Sequence, residues 1–180
     1  LAMVWLKRFP RHVVHVVDRY RSCLEGLPLA LDVAGPEVWT PAERAAGAYE
    51  GAPPMAASLN RIAVAAGAHH ATKRWLPERF GELCHRIVDE LGATPVLVGG
   101  PADSATVDAV MMYAPPATIR ADGATTLADT IAILDTCSAI VTNDTGVMHL
   151  ASARRLPVVA IYGGTVPQLG FTPYGVRYRI

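Results

Sequence analysis

Five residues of the 180-residue chain have the types and spacing to hold a phosphate-bearing ligand: Lys73, Asp144, Thr145, Gly146 and His149. The last four lie in Thr142-Asn-Asp-Thr-Gly-Val-Met-His-Leu-Ala151, which follows the apolar run Ala139 to Val141 and precedes Val158 to Tyr162. That pattern predicts strand, tight turn, helix, strand. The first N–H groups of such a helix have no partner within it and point outward with the positive end of the dipole, which suits a phosphate. Gly146 lets a ligand approach the backbone closely, and Thr145 adds a hydroxyl. Asp144 reads either as the N-cap of that helix or as a ligand contact. His149, four residues after Thr145, shares its helix face and leans back toward the turn; the competing reading is a histidine satisfied in the core. Lys73 is the natural cation for the phosphates. Its neighbour Arg74 competes for the role, and a solvated charge opening a helix is the plain alternative.

These residues need a scaffold, and the chain from Arg61 onward supplies one by alternating strand and helix. Ile62 to Ala66 reads as a strand, Pro77 to Leu91 as a helix with Phe80, Leu83, Ile87 and Leu91 on one face, and Pro95 to Val98 as a second strand. A weaker helix covers Ser104 to Tyr113, and Thr118 to Ala121 reads as a short strand. Thr126-Leu-Ala-Asp129 forms a capping box that opens a helix with Leu127, Ile131 and Leu134 on one face. With the strands at Ala139 and Pro157 to Tyr162, this predicts an α/β fold: a Rossmann-like parallel sheet with helices on both faces. Ligands of such sheets bind outside the carboxyl ends of the strands. The loops Gly67 to Lys73, Gly99 to Asp103, Asn143 to Gly146 and Gly163 to Thr165 all fall at that rim.

Before Arg61 the pattern is looser. His12 to Leu24 reads as a helix with Val13, Val16 or Val17, Tyr20 and Leu24 at helical spacing, and Thr40-Pro-Ala-Glu43 as a capping box opening a helix to about Glu50. Gly51 and Pro53-Pro54 mark a boundary, giving residues 1–54 as an extension and residues 55–180 as the compact domain. The apolar stretch Leu1 to Phe9 starts without Met, as a cut fragment would.

Composition excludes several classes. Sixteen Lys and Arg balance sixteen Asp and Glu, so net charge suggests neither nucleic acid nor an anionic membrane surface. The 51% hydrophobic content argues against disorder, and no run reaches the length of a membrane span. The expected location is cytoplasmic. Cys23, Cys84 and Cys137 are too widely spaced for metal ligation and read as buried small hydrophobes inside helices. There is no Gly-x-Gly-x-x-Gly after the first strand, no phosphate-binding Gly-x-x-x-x-Gly-Lys-Ser/Thr and no Gly-x-Ser-x-Gly nucleophile turn.

The set Gly67-x5-Lys73-Arg-Trp75, Pro77-Glu-Arg-Phe80, Val98-Gly-Gly100, Thr142 to Ala151 and Leu156-Pro-Val-Val-Ala-Ile-Tyr-Gly163 resembles the family 9 glycosyltransferases. These are the ADP-heptose:lipopolysaccharide heptosyltransferases. The resemblance runs from about Arg61 to Gly175; His12 to Leu27 is more weakly similar to the helix joining the family's two lobes. It implies a GT-B enzyme of which this chain is the linker and carboxy-terminal, donor-binding lobe. Lys73 would then contact the donor phosphates, while Asp144, Thr145, Gly146 and His149 would line the site around heptose and diphosphate. Thr72 is the implied hydroxyl before the lysine, with His69 and His70 departing from the family pattern. Asp103 is the implied ribose contact, and Gly163 and Thr165 resemble a Gly-x-Thr that closes the pocket.

The resemblance further implies inversion at the anomeric carbon without a metal or other cofactor. The catalytic base would be a carboxylate of an amino-terminal lobe that this chain lacks, and the chain stops at Ile180, before the family's final helix. It would therefore bind donor and transfer nothing alone. The acceptor would be a lipid-linked saccharide met through the absent lobe, which would draw the full enzyme to the inner membrane as a peripheral protein. Two other functions fit the same residues: a non-catalytic nucleotide-sugar-binding module, and a nucleotide-sugar epimerase-like enzyme on the same fold.

Overall fold

A computed structural model of the chain describes residues 13–28, 35–42, 60–123 and 126–180. Within them a six-stranded, all-parallel sheet runs in the order β3-β2-β1-β4-β5-β6. The strands are β1 (Arg61–Ala65), β2 (Thr94–Val98), β3 (Ile119–Ala121), β4 (Ala139–Asn143), β5 (Val158–Ile161) and β6 (Tyr178–Arg179). The helices are α1 (Val16–Ser22), α2 (Pro77–Leu91), α3 (Ser104–Met111), α4 (Leu127–Leu134) and α5 (Gly146–Ala153). Five strands stand within a residue or two of their expected places. The sixth, β6, was not anticipated, because two exposed residues carry no periodic signal.

Successive side chains of a strand point to opposite faces, and the two hydrophobic clusters divide accordingly. Ala63, Ala65, Val96 and Val98 pack with Leu134, Met148 and Ala151 of α4 and α5; Val64, Ala66 and Leu97 pack on the other face with Phe80, Cys84, Ile87, Val107 and Val110 of α2 and α3. Helices cover both faces, as a parallel sheet requires.

Local chemistry sets the ends of the helices. Thr126 caps α4 by accepting from the Asp129 N–H at 3.1 Å, while the Asp129 carboxylate accepts from the Thr126 N–H at 3.0 Å, which is the expected reciprocal box. Leu127 departs from expectation: it is exposed in the first turn and faces a cleft rather than the sheet. Leu91 is also exposed. Gly92 turns left-handed (φ 60°), and the Ala93 N–H reaches back to the Ile87 carbonyl at 3.2 Å, a Schellman turn that carries Ala93 into the core and leaves Leu91 outside.

Two expectations for the cysteines need correction. Cys23 is exposed at the end of α1, and Cys137 is buried but lies in the loop before β4 rather than in a helix. Cys84 is buried within α2 as expected; burial pushes its thiol up to about 11, so it is an inert core residue. Cys23 follows a helix, α1, that buries none of its residues, Tyr20 included, and Leu24 just beyond it is exposed as well. That helix is held instead by polar contacts to the end of the chain. Val16 N–H donates to the Gly170 carbonyl at 2.9 Å, His15 Nε2 pairs with the Thr172 carbonyl at 2.8 Å, and Tyr174 donates to Asp18. Leu1 to Phe9, residues 43–50 of the helix expected to open at Thr40-Pro41, and the boundary at Gly51 to Pro54 lie outside the described residues.

Arg154, only 3% exposed at the end of α5, forms a bidentate pair with Asp135 at the end of α4, Nε to Oδ1 at 2.9 Å and Nη2 to Oδ2 at 2.6 Å. Its Nη1 also donates to the Val38 carbonyl at 3.1 Å, so one guanidinium ties two helix ends to the segment 35–42. Arg154→Ala is expected to lower the unfolding free energy by about 3 kcal/mol in denaturant titration, since it strands the Asp135 charge and the Val38 carbonyl together. Arg154→Lys should recover only part, because an ammonium cannot make the planar two-point contact.

Candidate functional site

The loops after β1, β2, β4 and β5 meet at the carboxyl rim of the sheet, where two adjoining clefts open. The first, of about 470 Å³, is lined in part by His69, His70, Lys73, Asp144, His149 and Thr165. The second, of about 570 Å³, is lined in part by Gly67, Gly99, Asp103, Leu127 and Leu150. Thr145 and Gly146 line both.

The turn between β4 and α5 divides labour in a way the sequence left open. The cap of α5 is Thr145, not Asp144, and its side chain makes no capping hydrogen bond. The leading N–H groups of α5 therefore stay available at the clefts. The Asp144 carboxylate, from a residue only 7% exposed, turns instead to Lys73, with Nζ to Oδ2 at 2.6 Å, and accepts from the Thr165 hydroxyl at 2.5 Å. Lys73 Nζ also donates to the Asp144 carbonyl at 3.4 Å. One carboxylate thus joins three loops, and its cation remains at the wall of the first cleft.

Asn143, to which sequence reasoning gave no role, makes that arrangement possible. It is fully buried at the end of β4, donates through Nδ2 to the Ala66 carbonyl at 2.8 Å and accepts at Oδ1 from the Trp75 N–H at 3.1 Å. Both ends of the lysine loop are pinned to the strand that presents Asp144. The only available signal was an amide directly at a strand end, where a buried polar side chain must find partners. Arg74 donates to the Ala68 carbonyl within its own loop at 2.7 Å and lines neither cleft, whereas Lys73 lines the first.

His149 lies on the cleft wall with an exposed edge. Desolvation by the surrounding protein holds its pKa below the ordinary imidazole value; Asp144 opposes this, and His15 and Lys73 reinforce it. The ring is therefore neutral at pH 7 and offers one donor and one acceptor, which suits hydroxyl groups. Tyr162, also on this wall, donates to the Phe171 carbonyl at 3.1 Å, and burial, with the Asp144 charge next, raises its pKa so that the hydroxyl stays protonated.

Of the residues expected at the site, Lys73, Asp144, Thr145, Gly146, His149 and Thr165 meet in the first cleft, and Asp103 lies in the second. The Asp103 carboxylate accepts from the Gly100 N–H at 3.1 Å and sits in contact with Gly67 and Gly99. Thr72 and Gly163 line neither cleft; both are exposed, and they meet each other. The Gly164 N–H donates to the Thr72 carbonyl at 2.7 Å, and a Cβ on Gly163 would stand 2.5 Å from that same oxygen. Among the described residues, no group of three His, Cys, Asp or Glu side chains is placed to hold a metal ion.

Comparisons with known proteins converge on one family. The sequence profile of glycosyltransferase family 9 (heptosyltransferase) matches residues 3–180. Lipopolysaccharide heptosyltransferase 2 of Escherichia coli is 37% identical over 110 residues, covering 56% of this chain and 29% of that protein. A glycosyl transferase family 9 protein of Veillonella parvula superposes with a TM-score of 0.74 at 25% identity, over 95% of this chain and 50% of that one. The ADP-heptose LPS heptosyltransferase II of E. coli gives a TM-score of 0.58 at 25% identity, over 94% and 44%. The chain thus spans under a third of the E. coli curated relative and about half of these solved structures.

Proposed function

This chain belongs to glycosyltransferase family 9, and on that premise we propose that it is the donor-binding lobe of a GT-B heptosyltransferase acting in lipopolysaccharide core synthesis. The observation that carries the proposal is the two-part groove whose shared wall is the uncapped start of α5, with Lys73 alongside. An ADP-sugar has matching anatomy: a nucleoside, a doubly charged diphosphate and a polyhydroxylated sugar in a line. The second cleft, with Asp103 at the ribose hydroxyls, takes the nucleoside. The phosphates meet the N–H groups of α5 and Lys73, and the sugar lies in the first cleft against Asp144 and His149. ADP-heptose is the donor named for the E. coli enzyme of similar fold.

Transfer proceeds with inversion. The acceptor oxygen attacks the anomeric carbon, the bond from that carbon to the β-phosphate oxygen breaks, and a carboxylate of a second lobe takes the acceptor proton. The charge developing on the departing ADP falls on Lys73 and the α5 dipole, both fixed before the reaction, with no metal required. This chain alone binds donor, and the lipid-linked acceptor engages the full enzyme, a cytoplasmic protein that works peripherally at the inner membrane. Among the described residues no helix is long and apolar enough to cross a membrane.

Calorimetric titration with ADP, ADP-heptose, UDP and GDP, first without and then with magnesium, tests this. Binding of ADP and ADP-heptose that needs no metal, with UDP and GDP bound at least tenfold more weakly, is the expected result. Equal affinity for all four would remove nucleotide recognition from the second cleft. Lys73→Ala should weaken ADP roughly tenfold, the worth of one charge-assisted hydrogen bond, and leave adenosine almost unchanged. Equal losses for both would take Lys73 off the phosphates.

A further inference from the structure

The two clefts share three residues, His69, Thr145 and Gly146, so an extended ligand that fills both must cross the seam these form. Thr145 and Gly146 bring the free N–H groups of α5 to that seam. His69 comes to it from the loop after β1 and is exposed to solvent. Its ring meets that of His70 edge to face, with centroids 4.7 Å apart, and among the described residues neither imidazole makes a hydrogen bond. His69 therefore has no core to fill and no backbone group to satisfy, while standing where the two halves of the groove join. The hydroxyl expected of this loop is elsewhere: Thr72 lies against Gly163 and Gly164, outside both clefts.

We infer that His69 is a diphosphate-contacting residue, placing its imidazole over the phosphates where a nucleoside diphosphate sugar passes from one cleft into the other. This rests on the donor-binding reading above and adds a residue to it that replaces the expected hydroxyl. The titratable and charged groups facing His69 are His70 in its own loop, Lys73 in the following turn, Asp144 at the end of β4, His149 on α5 and Asp103 after β2. A diphosphate arriving beside an imidazole favours its protonated form, so binding is coupled to proton uptake.

The test is calorimetric titration with ADP-heptose at pH 6 and pH 8, each in two buffers of different ionisation enthalpy. Both phosphates of this probe are esterified, so the ligand itself exchanges no proton in the range. Net proton uptake and affinity falling roughly tenfold from pH 6 to pH 8, equivalent to one pKa unit of coupling, are expected. His69→Asn keeps a hydrogen-bond donor of similar size; it should abolish the uptake, flatten the pH dependence and leave the melting temperature unchanged, whereas His70→Asn keeps the uptake. Uptake that survives in His69→Asn, or that disappears in His149→Asn instead, overturns the assignment and leaves donor binding standing. Normal affinity with no uptake in the unaltered chain does the same. Failure of ADP-heptose to bind at either pH overturns both readings.

Discussion

Asp144→Ala is expected to weaken ADP-heptose by about ten- to a hundredfold and to leave ADP within roughly threefold, the range set by losing one or two hydrogen bonds to a charged group. The asymmetry follows from where the carboxylate points. Asp144 holds Lys73 Nζ at 2.6 Å and accepts from Thr165, in a residue 7% exposed on the wall that we assign to the sugar. Its charge attracts sugar hydroxyls but repels phosphates, so removing it takes contacts from the sugar while freeing Lys73 for the diphosphate. Stability should fall as well, by about 1–3 kcal/mol. Breaking a buried pair costs more than that, but the Lys73 side chain keeps 24% exposure and water screens part of the loss. Adding Lys73→Met to Asp144→Ala should recover most of the stability and none of the sugar affinity. If ADP and ADP-heptose weakened equally, or only stability changed, Asp144 would be a clamp between loops and nothing more.

The sheet was legible because its signals are local. Ile62 to Ala66, Pro95 to Val98 and Pro157 to Tyr162 are short apolar runs broken by turn residues, and Thr126 with Asp129 announces a helix start that the structure reproduces atom for atom. The carboxyl rim follows from topology alone, and six of the nine expected site residues meet in its first cleft. What was not legible depends on partners distant in sequence. Asp144 as cap or contact was undecidable, since the deciding groups, Lys73 and Thr165, lie 71 and 21 residues away. Asn143 reads as a turn residue until Ala66 and Trp75 are seen on either side of its amide. Thr72 was expected from the family resemblance, which says that a hydroxyl precedes the lysine but not which way this loop turns; here Thr72 lies against Gly163 and Gly164, outside both clefts, and His69 lines them. The periodic face of α1 misled for the opposite reason: helical spacing says which residues share a side and not whether anything described covers it.

Two glycines separate the architecture of the site from its occupancy. A Cβ on Gly146 would meet nothing within 4 Å and would project from the first residue of α5, at the seam shared by both clefts. Gly146→Ala should therefore fold normally and gain about 0.4–1 kcal/mol, because alanine loses less conformational freedom in a helix. The added methyl nevertheless occupies the space through which a phosphate reaches the leading N–H groups, and affinity for ADP and ADP-heptose should drop at least tenfold together. Gly163→Ala is its counterpart. There the new Cβ would lie 2.5 Å from the Thr72 carbonyl oxygen, a backbone atom already accepting from Gly164, so the loop after β5 must move off the lysine loop. That variant should lose about 1–3 kcal/mol of stability together with binding, since overpacking against backbone has no side chain to yield. Thermal melts and ADP titrations of the two variants side by side read both effects. A stabilised Gly146→Ala that still binds ADP with unchanged affinity would mean that the phosphates do not lie at the start of α5, whatever else occupies the groove.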